Sequence, residues 1–291
     1  MLTRAVLGIV WLLHFLPLAV LAPIGAAVGA LAYVLVVPRR RVCLVNLSKC
    51  FPELSERERR ALARAHFRLL GRFMLEHGVI WWGSRARLER MVQFEEREHL
   101  DAHAGRPLII VAPHFLGLDI GDVRLSITIP LASMYQKQKD PALDRRIARG
   151  RTRFAPEGRL FSRQEGLRPL ARLIKSGVAF YYLPDMDLGA RDSVFVPFFG
   201  VQTATVTGLA RLARLTGARV VPCVTRMLPG GAGYCARFYP AWTDFPTDDV
   251  HADTRRLNAF IEARVREMPA QYYWVHKRFK TRPAGEAGFY S

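Results

Sequence analysis

The feature that most constrains this chain is a long uncharged stretch near its start. From Ala5 to Val37 the sequence contains no Asp, Glu, Lys or Arg. A helix of about 20 apolar residues crosses a bilayer, so this stretch is long enough to span one. A cleaved signal peptide is the alternative, but its apolar core is typically about 7–15 residues long and precedes a small-residue cleavage site. Here Arg39-Arg40-Arg41 follow directly. We therefore predict an N-terminal membrane helix.

The charges on either side of this stretch predict its orientation. The arginine cluster at 39–41 outweighs the lone Arg4 upstream, and Lys and Arg accumulate on the cytoplasmic side of membrane helices. Pro17 and the segment Pro23-Ile24-Gly25 interrupt the stretch, which allows either one kinked, tilted helix or a shallow hairpin. We favour a single span. The sequence shows no internal repeat or linker, so we expect a membrane anchor of residues 1–41 and one cytoplasmic-face domain of residues 42–291.

The strongly basic composition predicts anionic partners. The chain has 43 Lys and Arg against 25 Asp and Glu, a formal net charge of +18. Such a charge attracts nucleic acid, an anionic membrane surface, or acidic substrates and carriers. The apolar stretch favours membrane phospholipid, and because no nucleic-acid-binding module is recognisable, we expect no nucleic-acid partner. The cysteines at 43, 50, 223 and 235 lack metal-site spacing and are typical of buried thiols in a reducing compartment. We expect no metal and no cofactor.

The remainder of the chain alternates between strand-like and helix-like segments. Ser55 with Glu58 forms a capping-box pattern that predicts the start of a helix. Short apolar segments bounded by turn residues then predict strands at 108–112, 130–135, 178–183, 219–225 and 234–239. Helices are predicted from 117 onward and at 140–154, 205–216 and 253–268. Buried strands that alternate with helices are typical of an α/β fold, a mixed sheet flanked by helices.

One histidine lies where such folds usually place their ligand sites. His114 follows the predicted buried strand 108–112, and Asp119 comes five residues later. If His114 lies in the loop and Asp119 in the first helical turn, the carboxylate can reach the imidazole. That arrangement suits acyl transfer to an alcohol, because a base must take the hydroxyl proton and a carboxylate can hold the ring in the required tautomer. As a bare pattern, His and Asp at this spacing is weak evidence.

Four longer segments carry a resemblance to a known family. They are residues 112–119, 182–187, 192–200 and 271–283. Together they resemble the late acyltransferases of lipid A biosynthesis, the lauroyl and myristoyl transferases of the lysophospholipid acyltransferase superfamily, over essentially the whole chain. The resemblance implies a glycerolipid acyltransferase-like fold. It also implies transfer of an acyl chain from acyl carrier protein to a hydroxyl of a lipid A precursor at the cell inner membrane, with His114 as base and Asp119 as its partner.

Four further residues are candidates for substrate binding. Arg163 and Arg168 stand where the family has arginines, and a guanidinium suits a phosphate on the acceptor or the carrier. The alternative interpretation is that both are ordinary solvated surface arginines. Asp185 and Asp187 match the lipid A branch and are candidates to orient polar groups of the acceptor or a neighbouring arginine. Their alternative is loop capping.

Two other functions are weighed against this interpretation. The first is acylation of a lysophospholipid or an amino-acid lipid. It is disfavoured because the E-G-T-R block of glycerolipid enzymes is mimicked only by Pro156-Glu157-Gly158-Arg159, which no apolar strand precedes. The second is a non-catalytic membrane protein, which is disfavoured because His114 and Asp119 are both present. Acyl chain length and the acylated position are open.

Overall fold

The computed structural model describes residues 2–154, 159–162 and 165–290. Two apolar helices come first, α1 (Leu2–Leu13) and α2 (Leu18–Leu35). The further helices are α3 (Val37–Cys50), α4 (Glu56–Trp82), α5 (Arg85–Met91), α6 (Glu98–Asp101), α7 (Leu118–Ser126), α8 (Pro141–Thr152), α9 (Leu167–Lys175), α10 (Gly208–Thr216) and α11 (Val250–Glu267). The strands are β1 (Val92–Glu95), β2 (Leu108–Val111), β3 (Leu131–Tyr135), β4 (Arg159–Ser162), β5 (Ala179–Tyr182), β6 (Ser193–Phe198), β7 (Val201–Val206), β8 (Arg219–Met227) and β9 (Tyr234–Phe238).

Seven of these strands form the central sheet, in the order β1-β9-β8-β2-β5-β3-β4. All neighbours are parallel except β8 and β9, which are antiparallel. Strands β6 and β7 form a separate antiparallel hairpin. In the sheet, β2 lies between β8 and β5, so its carboxyl end opens onto the middle of one sheet edge. That edge is where α/β sheets place their ligand sites.

The central strands are buried on both faces, which explains their continuous apolar sequence. Ile109 and Val111 of β2 point into one hydrophobic cluster, together with Phe180 of β5. Ile110 points to the opposite cluster, together with Tyr181. Because strand side chains alternate between faces, each β2 residue supports one layer of helices. The sheet is therefore a rigid platform for the loops at its edge.

The uncharged N-terminal stretch folds as two helices rather than one. Residues 14–17 separate α1 from α2, and in the described part of the chain only α2 is long and apolar enough to cross a membrane. Both helices pack along α4. Gly25 and Gly29 of α2 lie against the backbone of α4, where a Cβ on Gly29 would come within 1.9 Å of the Phe67 carbonyl oxygen. Only glycine permits this approach.

The predicted fold class is confirmed. The predicted strands and the helices at 117, 140–154 and 253–268 are present, with ends shifted by a few residues. The helix predicted at 205–216 starts too early, because Thr205 and Val206 pair with β6 and α10 begins only at Gly208. The capping box at Ser55 and Glu58 is formed. The expected boundary between residues 41 and 42 falls inside α3.

Candidate active site

The loop after β2 brings His114 to the centre of the sheet edge. The amide of Ala112 still donates to the Tyr182 carbonyl at 2.8 Å, so β2 and β5 run side by side to their ends. Val111 is paired with Tyr182 in the register. His114 and Asp185 each follow their strand at the same offset, and the parallel pairing therefore places them next to each other.

His114 is held by Asp185 through three hydrogen bonds. The backbone N–H of His114 donates to both carboxylate oxygens, at 3.1 and 3.0 Å. Its ring Nδ1 lies 2.7 Å from Asp185 Oδ1. The Asp185 side chain has no exposed surface, whereas the His114 side chain is 17% exposed. The carboxylate thus fixes the ring from inside the protein, and the Nε2 side is left toward solvent.

Asp185 is ionised in this arrangement. Burial raises the pKa of its carboxyl group, but the charge of His114, the hydrogen bonds from His114 and the charge of Arg278 outweigh burial and lower the pKa to about 2. A carboxylate in this state accepts the Nδ1–H of the imidazole and leaves Nε2 as the basic nitrogen. This pair has the geometry of a general base with its orienting carboxylate.

A second segment closes the His114 loop from the C-terminal side. The amide of Tyr273 donates to the His114 carbonyl at 2.9 Å, and the amide of Leu116 donates to the Gln271 carbonyl at 2.9 Å. Arg278, which belongs to the same segment, is fully buried. Residues 271–283, one of the four segments that carry the family resemblance, therefore support the loop that holds His114.

Asp119 does not meet His114 as expected. In the structure its Oδ2 lies 3.1 Å from Nε2 of His77 on α4. Its Oδ1 accepts a hydrogen bond from the Arg151 guanidinium on α8. The reason is the start of α7 at Leu118, since Asp119 is in the first helical turn and its side chain faces α4 and α8. The hydrogen-bonded carboxylate of His114 is Asp185.

The Asp119 cluster is strongly charged and largely enclosed. Burial raises the pKa of Asp119, but the charges of Arg151 and His77 and hydrogen bonds from both outweigh it and hold the pKa well below its usual range. Asp122, one turn further along α7, behaves in the opposite way. Burial, with the added charge of Asp119, raises its pKa to about 7 against the opposing effects of Arg151 and Ser133. Three helices thus meet around one cation–anion network.

Of the remaining candidates, the structure describes Asp187 and Arg168. Asp187 accepts hydrogen bonds from the backbone and hydroxyl of Thr281 at 2.6 and 2.7 Å, and from the Gly189 amide at 3.0 Å. It therefore joins the loop after β5 to the C-terminal segment. Arg168 is exposed in the first turn of α9. Arg163 and residues 156–158 of the E-G-T-R-like segment lie outside the described residues.

Two members of the site were missed from the sequence, His77 and Arg151. His77 lies on the predicted helix that begins at Ser55, and Arg151 lies on the helix predicted at 140–154. No local pattern distinguishes either from its neighbours, since only the packing of α4 and α8 on α7 brings them to Asp119. Within the described ranges, no group of three or more His, Cys, Asp or Glu side chains is arranged to hold a metal ion.

Comparisons with known proteins point to one family. The family described as bacterial lipid A biosynthesis acyltransferase matches residues 1–281. The lipid A biosynthesis lauroyltransferase of Escherichia coli K12 is 35% identical over 282 residues, covering 96% of this chain and 91% of that protein. The palmitoleoyltransferase of the same organism is 32% identical, covering 98% and 92%. The myristoyltransferase is 33% identical, covering 91% and 82%.

Proposed function

Since the chain belongs to the bacterial lipid A biosynthesis acyltransferase family, we propose that it transfers a fatty acyl chain from acyl carrier protein to a hydroxyl of a lipid A precursor. Acylation in lipid A biosynthesis follows from the family. In this proposal His114 acts as the general base and Asp185 as its orienting carboxylate. The observation that carries it is the 2.7 Å contact between His114 Nδ1 and the buried Asp185 carboxylate.

The chemistry follows from the free nitrogen of His114. Nε2 takes the proton of the acceptor hydroxyl while the oxygen attacks the thioester carbonyl of the donor. The C–O bond forms, the C–S bond breaks, and the imidazolium returns its proton to the leaving thiolate. Asp185 stabilises the imidazolium between these two steps and keeps Nδ1 protonated throughout. No group outside the protein and its two substrates is needed for this balance.

Asp119 acts as a positioning residue in this proposal. Its carboxylate links His77 of α4 to Arg151 of α8, and α7 itself begins immediately after the His114 loop. An ion pair of this kind fixes three helices relative to the loop. The guanidinium of Arg151 donates to Asp119 and to the Met134 carbonyl, so it is held in place by both α7 and β3.

The membrane side of the proposal rests on the N-terminal helices. The α2 helix has a mean hydropathy of 2.2, and most of it is not covered by protein. Leu31, Val34 and Leu35 are exposed along it, which suits contact with inner-membrane phospholipid. The arginines at 39–41 follow this helix, and the positive-inside rule then puts the active site on the cytoplasmic side. There, acyl carrier protein is available as donor.

The test is an acyl-transfer assay with defined partners. The purified protein is given acyl–acyl carrier protein or acyl-coenzyme A as donor, and a lipid A precursor or a lysophospholipid as acceptor. We expect product, seen by mass spectrometry, from the carrier-bound donor and the lipid A precursor. Transfer only to the lysophospholipid would contradict the proposed lipid A acceptor. Equal rates with both donors would contradict the proposed requirement for acyl carrier protein. Lipid A from a deletion strain should lack one acyl chain.

A further inference from the structure

A cavity beside the membrane helices is not used by the chemistry above. Its volume is about 350 Å³, and it lies where α1, the end of α4 and α8 meet. The α8 residues that line it are spaced by three and four positions, so they form one face of that helix. Thr3 at the start of α1 donates to the Asp140 carboxylate at 2.7 Å, which ties α1 to the start of α8. The lining residues are Leu7, Gly8, Trp11, Trp82, Ala142, Arg145, Arg146 and Arg149.

The cavity carries three arginines and no carboxylate in its lining. Arg146 lies over the Trp82 ring, 4.7 Å from its centroid, and donates to the Trp81 carbonyl at 3.4 Å. Arg145 and Arg149 are exposed, and neither forms an ion pair within the described ranges. Burial and then the charge of Arg149 lower the pKa of Arg146. The like charges are therefore not neutralised by the protein.

The surroundings of the cavity are those of a membrane interface. Ile9 and Leu12 of α1, and Phe15 just after it, are exposed large apolar side chains, which lipid can cover. Trp11 and Trp82 line the cavity together with the arginines. Tryptophan favours the boundary between acyl chains and headgroups. A ligand with a lipid tail and a phosphate fits this combination of apolar, aromatic and cationic surfaces.

We propose that this cavity binds the phosphate of a membrane lipid, with Arg145 and Arg149 as its principal donors. Arginine forks match phosphate oxygens in geometry and charge. The source assigned here is the acceptor lipid, because α8 connects the cavity to the active site. Arg149 lies two residues before Arg151, the partner of Asp119. That choice of source rests on the proposed function, whereas the phosphate site itself does not.

The experiment measures lipid binding without turnover. Full-length protein in detergent micelles is titrated with a phosphorylated lipid A precursor, the same lipid after phosphatase treatment, and phosphatidylglycerol, with no acyl donor present. We expect the phosphorylated precursor to bind best. In Arg145→Ala/Arg149→Ala its affinity should fall by about 10- to 100-fold, as expected for lost charge-assisted hydrogen bonds. Arg172→Ala/Arg219→Ala, an exposed pair near the opposite sheet edge, removes the same charge and should bind as wild type does.

A second variant tests the cavity by shape instead of charge. A Cβ on Gly8 meets nothing within 4 Å, so the backbone leaves room for Gly8→Leu to begin a side chain that enters the cavity. This variant should weaken binding of the phosphorylated precursor and leave the melting temperature unchanged. Equal loss for phosphatidylglycerol and precursor would keep the phosphate site and reassign its source to bulk phospholipid. Wild-type binding by both the double arginine variant and Gly8→Leu would overturn the site. Absence of acyl transfer in wild type would count against the proposed function alone.

Discussion

His114 and His77 each lie within hydrogen-bonding distance of a carboxylate, and they differ in what their second ring nitrogen contacts. His114 uses Nδ1 for Asp185, and no partner of its Nε2 occurs in the described part of the chain. His77 has Nε2 at 3.1 Å from Asp119 and Nδ1 at 2.6 Å from the Phe73 carbonyl. Both nitrogens of His77 thus face hydrogen-bond acceptors. The second nitrogen of His114 is free to take a proton, whereas both nitrogens of His77 are held in contacts with the protein.

The largest effect should come from removing the base. His114→Ala should lower kcat by about 10²–10⁴-fold, the usual value of general base catalysis, while the melting temperature stays near that of wild type. The matched change His77→Asn keeps a polar side chain on α4 and should lower kcat far less. Steady-state acyl transfer with both variants checks this. Near-wild-type turnover of His114→Ala would remove His114 from the mechanism.

The next effect separates the two carboxylates. Asp185→Asn should lower kcat by about 10²-fold or more and change its pH profile, because the variant lacks the carboxylate charge that orients the His114 ring. Asp119→Asn should lose less activity and keep the profile, but it should melt at a lower temperature because Arg151 is left without its counter-charge. The pH dependence of kcat for both variants is the measurement. If both profiles change alike, Asp119 reaches His114 in the substrate complex, and the pairing in the free protein is not the catalytic one.

A smaller effect concerns Asp122, which lies one helical turn from Asp119 of the His77–Asp119 pair. Burial raises the pKa of Asp122 in the folded state to about 7, above its usual value of 3.8, so the folded state resists ionisation and loses stability as pH rises from about 4 to about 7. Asp122→Asn should therefore be nearly neutral at pH 4 and stabilising by about 2–4 kcal/mol at pH 8. Melting temperatures at the two pH values test it. A gain that is equal at both would show that ionisation is not the cause.

The smallest effect is expected at Arg168, which lies away from both pairs. Because it is exposed, Arg168→Ala should leave kcat unchanged and raise KM by no more than about 10-fold, since exposed charge contacts are weak. Varying acceptor and acyl carrier protein separately identifies the substrate that it contacts. If neither KM changes, Arg168 is an ordinary surface residue. Arg163 can be tested in the same way.

The sequence by itself determined most of the central strands and helices and the place of the candidate base. The uncharged stretch, the capping box at Ser55 and the buried strand before His114 are local patterns, and local backbone preferences and side-chain periodicity are enough to form them. They also predicted a mixed α/β sheet with a histidine at its carboxyl edge. Pro17 already indicated an interruption of the apolar stretch where α1 and α2 separate, although we favoured a single membrane span.

Only the tertiary structure decided which carboxylate reaches His114. Asp119 is five residues away in sequence, but the first turn of α7 directs it to His77 and Arg151. Asp185 is far along the chain, yet β5 pairs with β2 in parallel register, so residues at equal offsets beyond the two strands become neighbours. Strand order and helix packing are set by long-range burial of apolar faces. Sequence spacing around His114 carries no record of them, which is why the nearer carboxylate was the wrong one to pair with the ring.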